Sequence, residues 1–310
     1  MTQIGRSTAR VSVTKDGAHP RRVVLSWAAL TDVGNKRQVN EDSLISGLPV
    51  FAVADGMGGH SAGDVASKAV VERLSELTES VVTAHQIEGA LGLALTDLDR
   101  VGDESALGTG TTVTGVALTD GEDGLEWTVF NIGDSRVYSF RSGLLEQITR
   151  DHSVVQELIE AGLISPEQAE HHPDSNVITR AIGFHEKPVP DYVSVPIVAG
   201  QRLLLCSDGL TKELTDYGIR HYLSTATTAE AAAAELVAAS LANGGRDNVT
   251  VVIVDVESDE VPGQTAPTAV QAESDDTEPE SAHESESAHE SQSAHQSGQG
   301  DPGDPAPPRS

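Results

Sequence analysis

Cysteine is nearly absent. The 310-residue chain has one, Cys206, which excludes an internal disulfide and any Cys-rich zinc cage. It lies inside the apolar run Leu203-Leu-Leu-Cys206, where a small core residue is the simpler reading than a nucleophile. Positive charge is scarce as well: 20 Lys and Arg face 48 Asp and Glu, a net charge of −28. Such a chain is a poor match for nucleic acid, whose phosphates recruit Lys and Arg. Long hydrophobic runs are missing. No apolar stretch approaches the ~20 residues that span a bilayer, and the N-terminus has no apolar signal region. The expectation is a cytoplasmic protein without a membrane span.

Large apolar residues also fade after Val256. Residues 257–310 carry 13 acidic residues against one basic residue, Arg309, and are rich in Ser, Glu, Gln, Pro and Gly. This segment cannot bury enough surface to offset its ordering entropy, so a disordered acidic tail is expected. Within it Ser281-Ala-His-Glu-Ser-Glu recurs with small changes at Ser287 and Ser293. His283, His289 and His295 could hold a metal loosely, but low-complexity drift accounts for them. At the other end, residues 1–22 hold Arg6, Arg10, Lys15, Arg21 and Arg22 against Asp16 and suggest a mobile basic arm. The 23–256 stretch remains, long enough for two small domains and equally ordinary as a single one.

That stretch is organised around Phe51-Ala-Val-Ala-Asp55-Gly56-Met57-Gly58-Gly59. A short apolar strand ends there at a carboxylate followed by glycines, which let other groups approach the main chain. Alone, Asp-Gly after a strand is a hairpin turn as readily as a site. The pattern recurs, however. Leu203–Ser207 ends in Asp208-Gly209, Val129–Gly133 delivers Asp134, and Asp247-Asn248 precedes Val249–Val254. Carboxylates that converge at strand ends repel one another unless cations sit between them.

Other expected strands are Val23–Leu30, Val113–Leu118, Glu126–Ile132, Arg136–Phe140 and Val193–Ile197. Helical spacing marks Asp64–Leu77, Ile87–Val101, Val154–Ala161 and Ala229–Ala242, the last with Thr228 as N-cap and Gly244-Gly245 as its stop. Gly133-Asp134-Ser135 looks like a hairpin turn. The loop Thr31–Asp42 holds Arg37, whose planar fork suits a phosphate, and Glu41 and Asp42, which could support a metal. A solvated loop is the plain alternative. His152, His171 and His172 lie in an irregular stretch, the latter two as surface features rather than ligands.

Six ordered motifs carry a resemblance: Asp-x-Gly-x-x-Arg-x-x-Asn-Glu-Asp (32–42), Ala-Asp-Gly-Met-Gly-Gly-His (54–60), Gly-Thr-Thr (110–112), Ile-Gly-Asp-Ser-Arg (132–136), Cys-Ser-Asp-Gly-Leu (206–210) and Arg-Asp-Asn-Val-Thr (246–250). Over about residues 25–256 the chain resembles the bacterial metal-dependent Ser/Thr protein phosphatases of the PPM or PP2C family. The resemblance implies an α+β fold, a four-layer αββα sandwich of two antiparallel sheets flanked by helices. It implies two Mn²⁺ or Mg²⁺ ions, with Asp55 bridging them, the Gly56 carbonyl on the first, and Asp208 and Asp247 on the second. Asp134 matches a position that helps hold a third, weaker ion, and Arg37 matches the phosphate-binding arginine. Glu41 and Asp42 match acidic residues near the metals, in a direct or water-mediated role. Residues 150–183 match a mobile flap.

The activity so implied is hydrolysis of phosphoserine and phosphothreonine by direct attack of a metal-bridging water, opposing a bacterial Ser/Thr kinase, by a monomer acting on phosphorylated proteins. The alternative is a catalytically inactive relative that binds phosphoproteins. Oxygen-only ligands suit hard divalent cations, and no protein nucleophile is then needed. Met57 stands where eukaryotic members place a histidine credited with protonating the leaving oxygen. That acid must be another group, with His60 and His152 as candidates beside a metal-bound water.

Overall fold

The computed structural model describes residues 1–16, 19–58, 62–101, 109–122, 124–169, 171–183 and 187–260. In chain order the strands and helices are β1 (Thr2–Gly5), β2 (Thr8–Lys15), β3 (Arg21–Asp32), β4 (Ser43–Gly47), β5 (Val50–Ala54), β6 (Gly56–Met57), α1 (Ala62–Ser75), α2 (Ala84–Val101), β7 (Gly110–Thr111), β8 (Val113–Gly121), β9 (Gly124–Ile132), β10 (Arg136–Arg141), β11 (Leu144–Gln147), α3 (Val154–Glu160), α4 (Pro166–Ala169), β12 (Ile182–Gly183), β13 (Asp191–Pro196), β14 (Arg202–Cys206), α5 (Asp208–Thr211), α6 (Asp216–Thr225), α7 (Ala229–Asn243) and β15 (Val249–Glu260). One six-stranded sheet runs β1-β4-β5-β8-β9-β13, a second runs β11-β10-β14-β15-β3-β2, and a small sheet joins β12, β7 and β6.

Each central strand is apolar on both faces because each sheet is covered on both. Phe51 and Val53 of β5 face the layer between the sheets, while Val50, Ala52 and Ala54 meet α1 and α2. Leu203 and Leu205 of β14 enter the same intersheet core, and Leu204 and Cys206 lie under α6 and α7. β15 divides likewise, with Val252, Val254 and Val256 inward and Val249, Val251 and Ile253 toward the helices. This is why those segments appear as continuous apolar runs rather than alternating ones. The result is the four-layer αββα sandwich. Trp27, Phe51 and Trp127 fix the middle layer in edge-to-face contacts, with ring centroids 5.3 and 6.3 Å apart. Cys206 is fully buried and its thiol is pushed up to about 12 by burial, which suits a core residue.

The chain departs from expectation at its edges. Residues 2–5 and 8–15 are strands: β1 pairs with β4 in parallel, the one parallel ladder among the described residues, and β2 pairs antiparallel with β3. A mobile arm is therefore not what residues 1–22 form. β15 also continues past Val256 to Glu260, pairing Asp259 with Val23. Arg21 binds Asp259 through Nε at 2.6 Å and reaches the Ile197 carbonyl at 2.9 Å. Charge counts summed over both segments hid this, because a half-exposed edge strand alternates polar residues and scores as solvated. The rest of the expected tail, 261–310 with its three histidines, lies outside the described residues.

Gly133-Asp134-Ser135 is not a hairpin turn. β9 belongs to one sheet and β10 to the other, so this turn carries the chain across the sandwich. Gly133 adopts φ 112, and a side chain there would strike Thr112.

Candidate metal centre

Two glycines let the carboxylate-bearing segments approach. A Cβ on Gly209 would fall inside the Asn248 carbonyl, so this glycine brings α5, which opens on Asp208, against the start of β15, which follows Asp247. A Cβ on Gly56 would overlap the Gly63 carbonyl and come 2.6 Å from the Glu41 carbonyl oxygen. Asp55 is anchored through its main chain, whose carbonyl accepts from Thr112 N–H and Thr111 Oγ1, each at 2.9 Å. Its own N–H donates to Thr112 Oγ1 at 3.1 Å.

The acidic residues picked out in the sequence gather at this end of the sandwich. Burial raises the Asp55 carboxyl well above its ordinary value, and the charges of Asp42, Asp208, Asp134 and Asp247 raise it further. Asp134 is held up at about 7 by burial first, then by Asp208 and Asp151. Asp42, completely buried, also stands at about 7, although its Oδ2 accepts from Thr250 Oγ1 at 2.6 Å and Ser207 Oγ at 2.8 Å. Asp247 behaves oppositely. Burial opposes its ionisation, but Lys212 and Arg37 more than offset this and hold its carboxyl below the usual range.

Arg37 grips Asp247 in a fork, Nε to Oδ1 at 2.8 Å and an Nη to Oδ2 at 3.0 Å, while half of its side chain stays exposed. Lys212 pairs with Asp208 and lies 3.3 Å from Asp247 Oδ2. Among the described residues no three His, Cys, Asp or Glu side chains close into a ready cation cage. The site nevertheless fits hard divalent cations on two observations. Oδ1 of Asp208 and Oδ1 of Asp42 are buried without a hydrogen-bond partner. Burial, with the charges of neighbouring aspartates adding to it, also keeps the carboxyls of Asp42, Asp55 and Asp134 raised, a cost that a bound cation would relieve.

Sequence reasoning missed two residues that shape the site. Asn248 holds the Thr31–Asp42 loop: its amide donates to the Val33 and Val39 carbonyls at 2.9 and 3.0 Å, and its Oδ1 accepts from Glu41 N–H at 2.9 Å. Lys212 was legible in principle, since it follows Asp208 by four residues at a helix start.

His152 is built into the frame. It is buried, its Nδ1 accepts from Gly133 N–H at 3.1 Å, and its Nε2 lies 3.0 Å from Asp191 Oδ2. Burial lowers its pKa, and the Arg180 charge adds to that against the pull of Asp191. With both ring nitrogens engaged it fixes the turn bearing Asp134 and has no nitrogen to offer a leaving group. His172 Nδ1 accepts from Asp174 N–H at 3.1 Å in the surface loop. His60 lies outside the described residues. The stretch beginning at Arg150 returns to the cluster through the small sheet, where Ile182 of β12 faces Thr111 of β7 and Thr111 faces Gly56 of β6.

Comparison with known proteins agrees with this architecture. Residues 35–243 match the family Protein phosphatase 2C. The chain is 39% identical over 264 residues to the serine/threonine protein phosphatase PstP of Mycobacterium tuberculosis, covering 82% of this chain and 49% of PstP, so it spans about half the length of that relative. It is 36% identical over 241 residues to the serine/threonine phosphatase stp of Listeria monocytogenes, covering 73% of this chain and 93% of that one. The crystal structure of M. tuberculosis PstP superposes with a TM-score of 0.68 at 36% identity, covering 76% of this chain and all of that one. The PstP catalytic domain in complex with two manganese ions matches equally well. With the sandwich, the ordered motifs and the carboxylate cluster in place, the chain belongs to the protein phosphatase 2C family.

Proposed function

We propose that this chain is a metal-dependent phosphatase of phosphoserine and phosphothreonine in proteins, opposing a Ser/Thr kinase. The observation that carries the reading is the convergence of Asp55, Asp134, Asp208 and Asp247 at one end of the sandwich, within a family whose relatives are named serine/threonine phosphatases. Asp55 and the Gly56 carbonyl would hold one Mn²⁺ or Mg²⁺, and Asp55, Asp208 and Asp247 a second. The manganese-bound PstP domain supports that count. Asp134, beside Asp208, is the candidate for a third, weaker ion. When bound, such ions lower the pKa of water and neutralise phosphoryl charge.

The remaining tasks fall to the chain itself. Arg37, pinned by Asp247 on one edge, turns the rest of its fork outward, where it can orient a phosphoryl group. Asp42, hydrogen-bonded to Ser207 and Thr250, supports the cluster from beneath, and the Glu41 main chain is fixed by Asn248. Buried Cys206 is not available as a nucleophile.

The test is phosphate release from a phosphothreonine peptide with and without Mn²⁺. Wild type should turn over only with the ion, and Asp55→Ala should lose about three orders of magnitude or more while keeping its fold by circular dichroism. Metal-independent turnover would overturn the mechanism. Binding of the peptide without turnover would select the inactive phosphoprotein-binding reading.

A further inference from the structure

Lys212 closes the first turn of α5, so its stem runs back over Asp208, the residue that opens the helix. Its ammonium pairs with Asp208 Oδ2 and stands 3.3 Å from Asp247 Oδ2, between the two carboxylates assigned above to the second ion. The other oxygen of Asp247 is already committed to Arg37 Nε at 2.8 Å and Asn248 N–H at 2.9 Å. Oδ1 of Asp208 is buried with no partner, so the lysine leaves this ligand half satisfied.

We propose that Lys212 is a displaceable internal cation: it holds the second ion's carboxylates together in the metal-free protein and must swing away before a divalent ion can bind there. The inference rests on the assignment of Asp208 and Asp247 as ligands. An ammonium and a divalent ion cannot share the space between the same two oxygens, and their mutual repulsion weakens binding of the ion. Lysine suits the role because its charge is compact and rides on a flexible four-carbon stem, and the Lys212 side chain is about a third exposed here. The first ion would be held by Asp55 and the Gly56 carbonyl, and Lys212 makes its ion pairs with Asp208 and Asp247 instead. Loading is therefore sequential, one ion tightly and the second against the lysine.

Isothermal titration of the metal-free full chain with Mn²⁺, with bound ion counted by electron paramagnetic resonance, tests this. Lys212→Met keeps the stem and removes the charge. It should tighten the second ion about tenfold or more, change the first much less, and lower the melting temperature of the metal-free protein. Lys212→Arg should keep the second ion weak. Lys68→Met, which removes an exposed charge paired with Glu72 on α1, should change neither step. If the second ion binds no tighter in Lys212→Met than in wild type, the inference is overturned. If wild type binds Mn²⁺ and Asp208→Ala leaves both steps untouched, the ligand assignment itself fails, which is a different result.

Discussion

The two halves of the carboxylate cluster are neutralised differently. Asp208 and Asp247 are met by the protein's own cations, Lys212 on both and Arg37 on Asp247. Asp55, Asp134 and Asp42 have no cationic side chain in an ion pair with them among the described residues, and they respond by holding protons. Buried carboxylates have few choices in the absence of a divalent ion: recruit a lysine or arginine, or stay protonated. This molecule uses both. If these carboxylates are the ion's ligands, as proposed, ion binding is two reactions, displacement of an ammonium on one side and of protons on the other.

The largest effect expected from this contrast is on stability against pH. An unfolded aspartate titrates near 3.9, whereas Asp42 and Asp134 titrate at about 7 in the fold. Between those values the folded state binds more protons than the unfolded one, so stability falls as pH rises. The advantage is complete below about pH 4 and gone above about 7. A three-unit shift corresponds to at most about 4 kcal/mol per carboxyl. In a chelator, the melting temperature should drop from pH 5 to pH 8. With saturating Mn²⁺ the trend should reverse, because the ion replaces the protons. A metal-free melting temperature that stays flat or rises over this range would erase the distinction between the two halves.

The second effect is kinetic and concerns Arg37, which serves both sides of the comparison. Arg37→Ala should raise KM for a phosphopeptide about tenfold while kcat falls by less, and Lys should restore little because it lacks the fork. If kcat falls and KM holds, Arg37 belongs to the charge balance of Asp247 alone and the phosphate contact is lost as an explanation.

Much of this was legible in the sequence, for identifiable reasons. Strands β5, β14 and β15 are buried on both faces and therefore appear as uninterrupted apolar runs. Helix α7 was bounded by chemistry that the structure retains: Thr228 Oγ1 accepts from Ala231 N–H, and Gly244 ends the helix at φ 149. Asp55, Asp134 and Asp208 were visible because each ends a strand, and Asp247 because it precedes one. Three things were not legible. β1 and β2 are edge strands whose pattern is half polar, and they exist only through their partners β4 and β3. The turn at Gly133 has hairpin residues, yet which sheet receives β10 is decided by long-range pairing with β14. His152 invited a chemical role, and only its burial and two engaged nitrogens show a structural one.

The smallest effect lies at the opposite end of β15 from Asp247, where the same rule operates without chemistry. Asp259 is matched by Arg21, with an Nη to Oδ2 contact at 2.5 Å beside the Nε bond. A carboxylate satisfied this way, mostly shielded from solvent, needs nothing from outside and should contribute to stability alone. A chain ending at Glu260 keeps the pair, and one ending at Val256 loses both the pair and three rungs of the β15–β3 ladder. The longer chain should match full-length protein in melting temperature and in hydrolysis of a small aryl phosphate. The shorter one should melt a few degrees lower, since about 1 kcal/mol shifts a domain of this size by roughly 2–4 °C, yet keep its Mn²⁺-dependent turnover. Loss of turnover in the shorter chain at temperatures where it remains folded would mean that the Arg21–Asp259 end is coupled to the cluster. The separation between structurally matched and chemically exposed carboxylates would then fail.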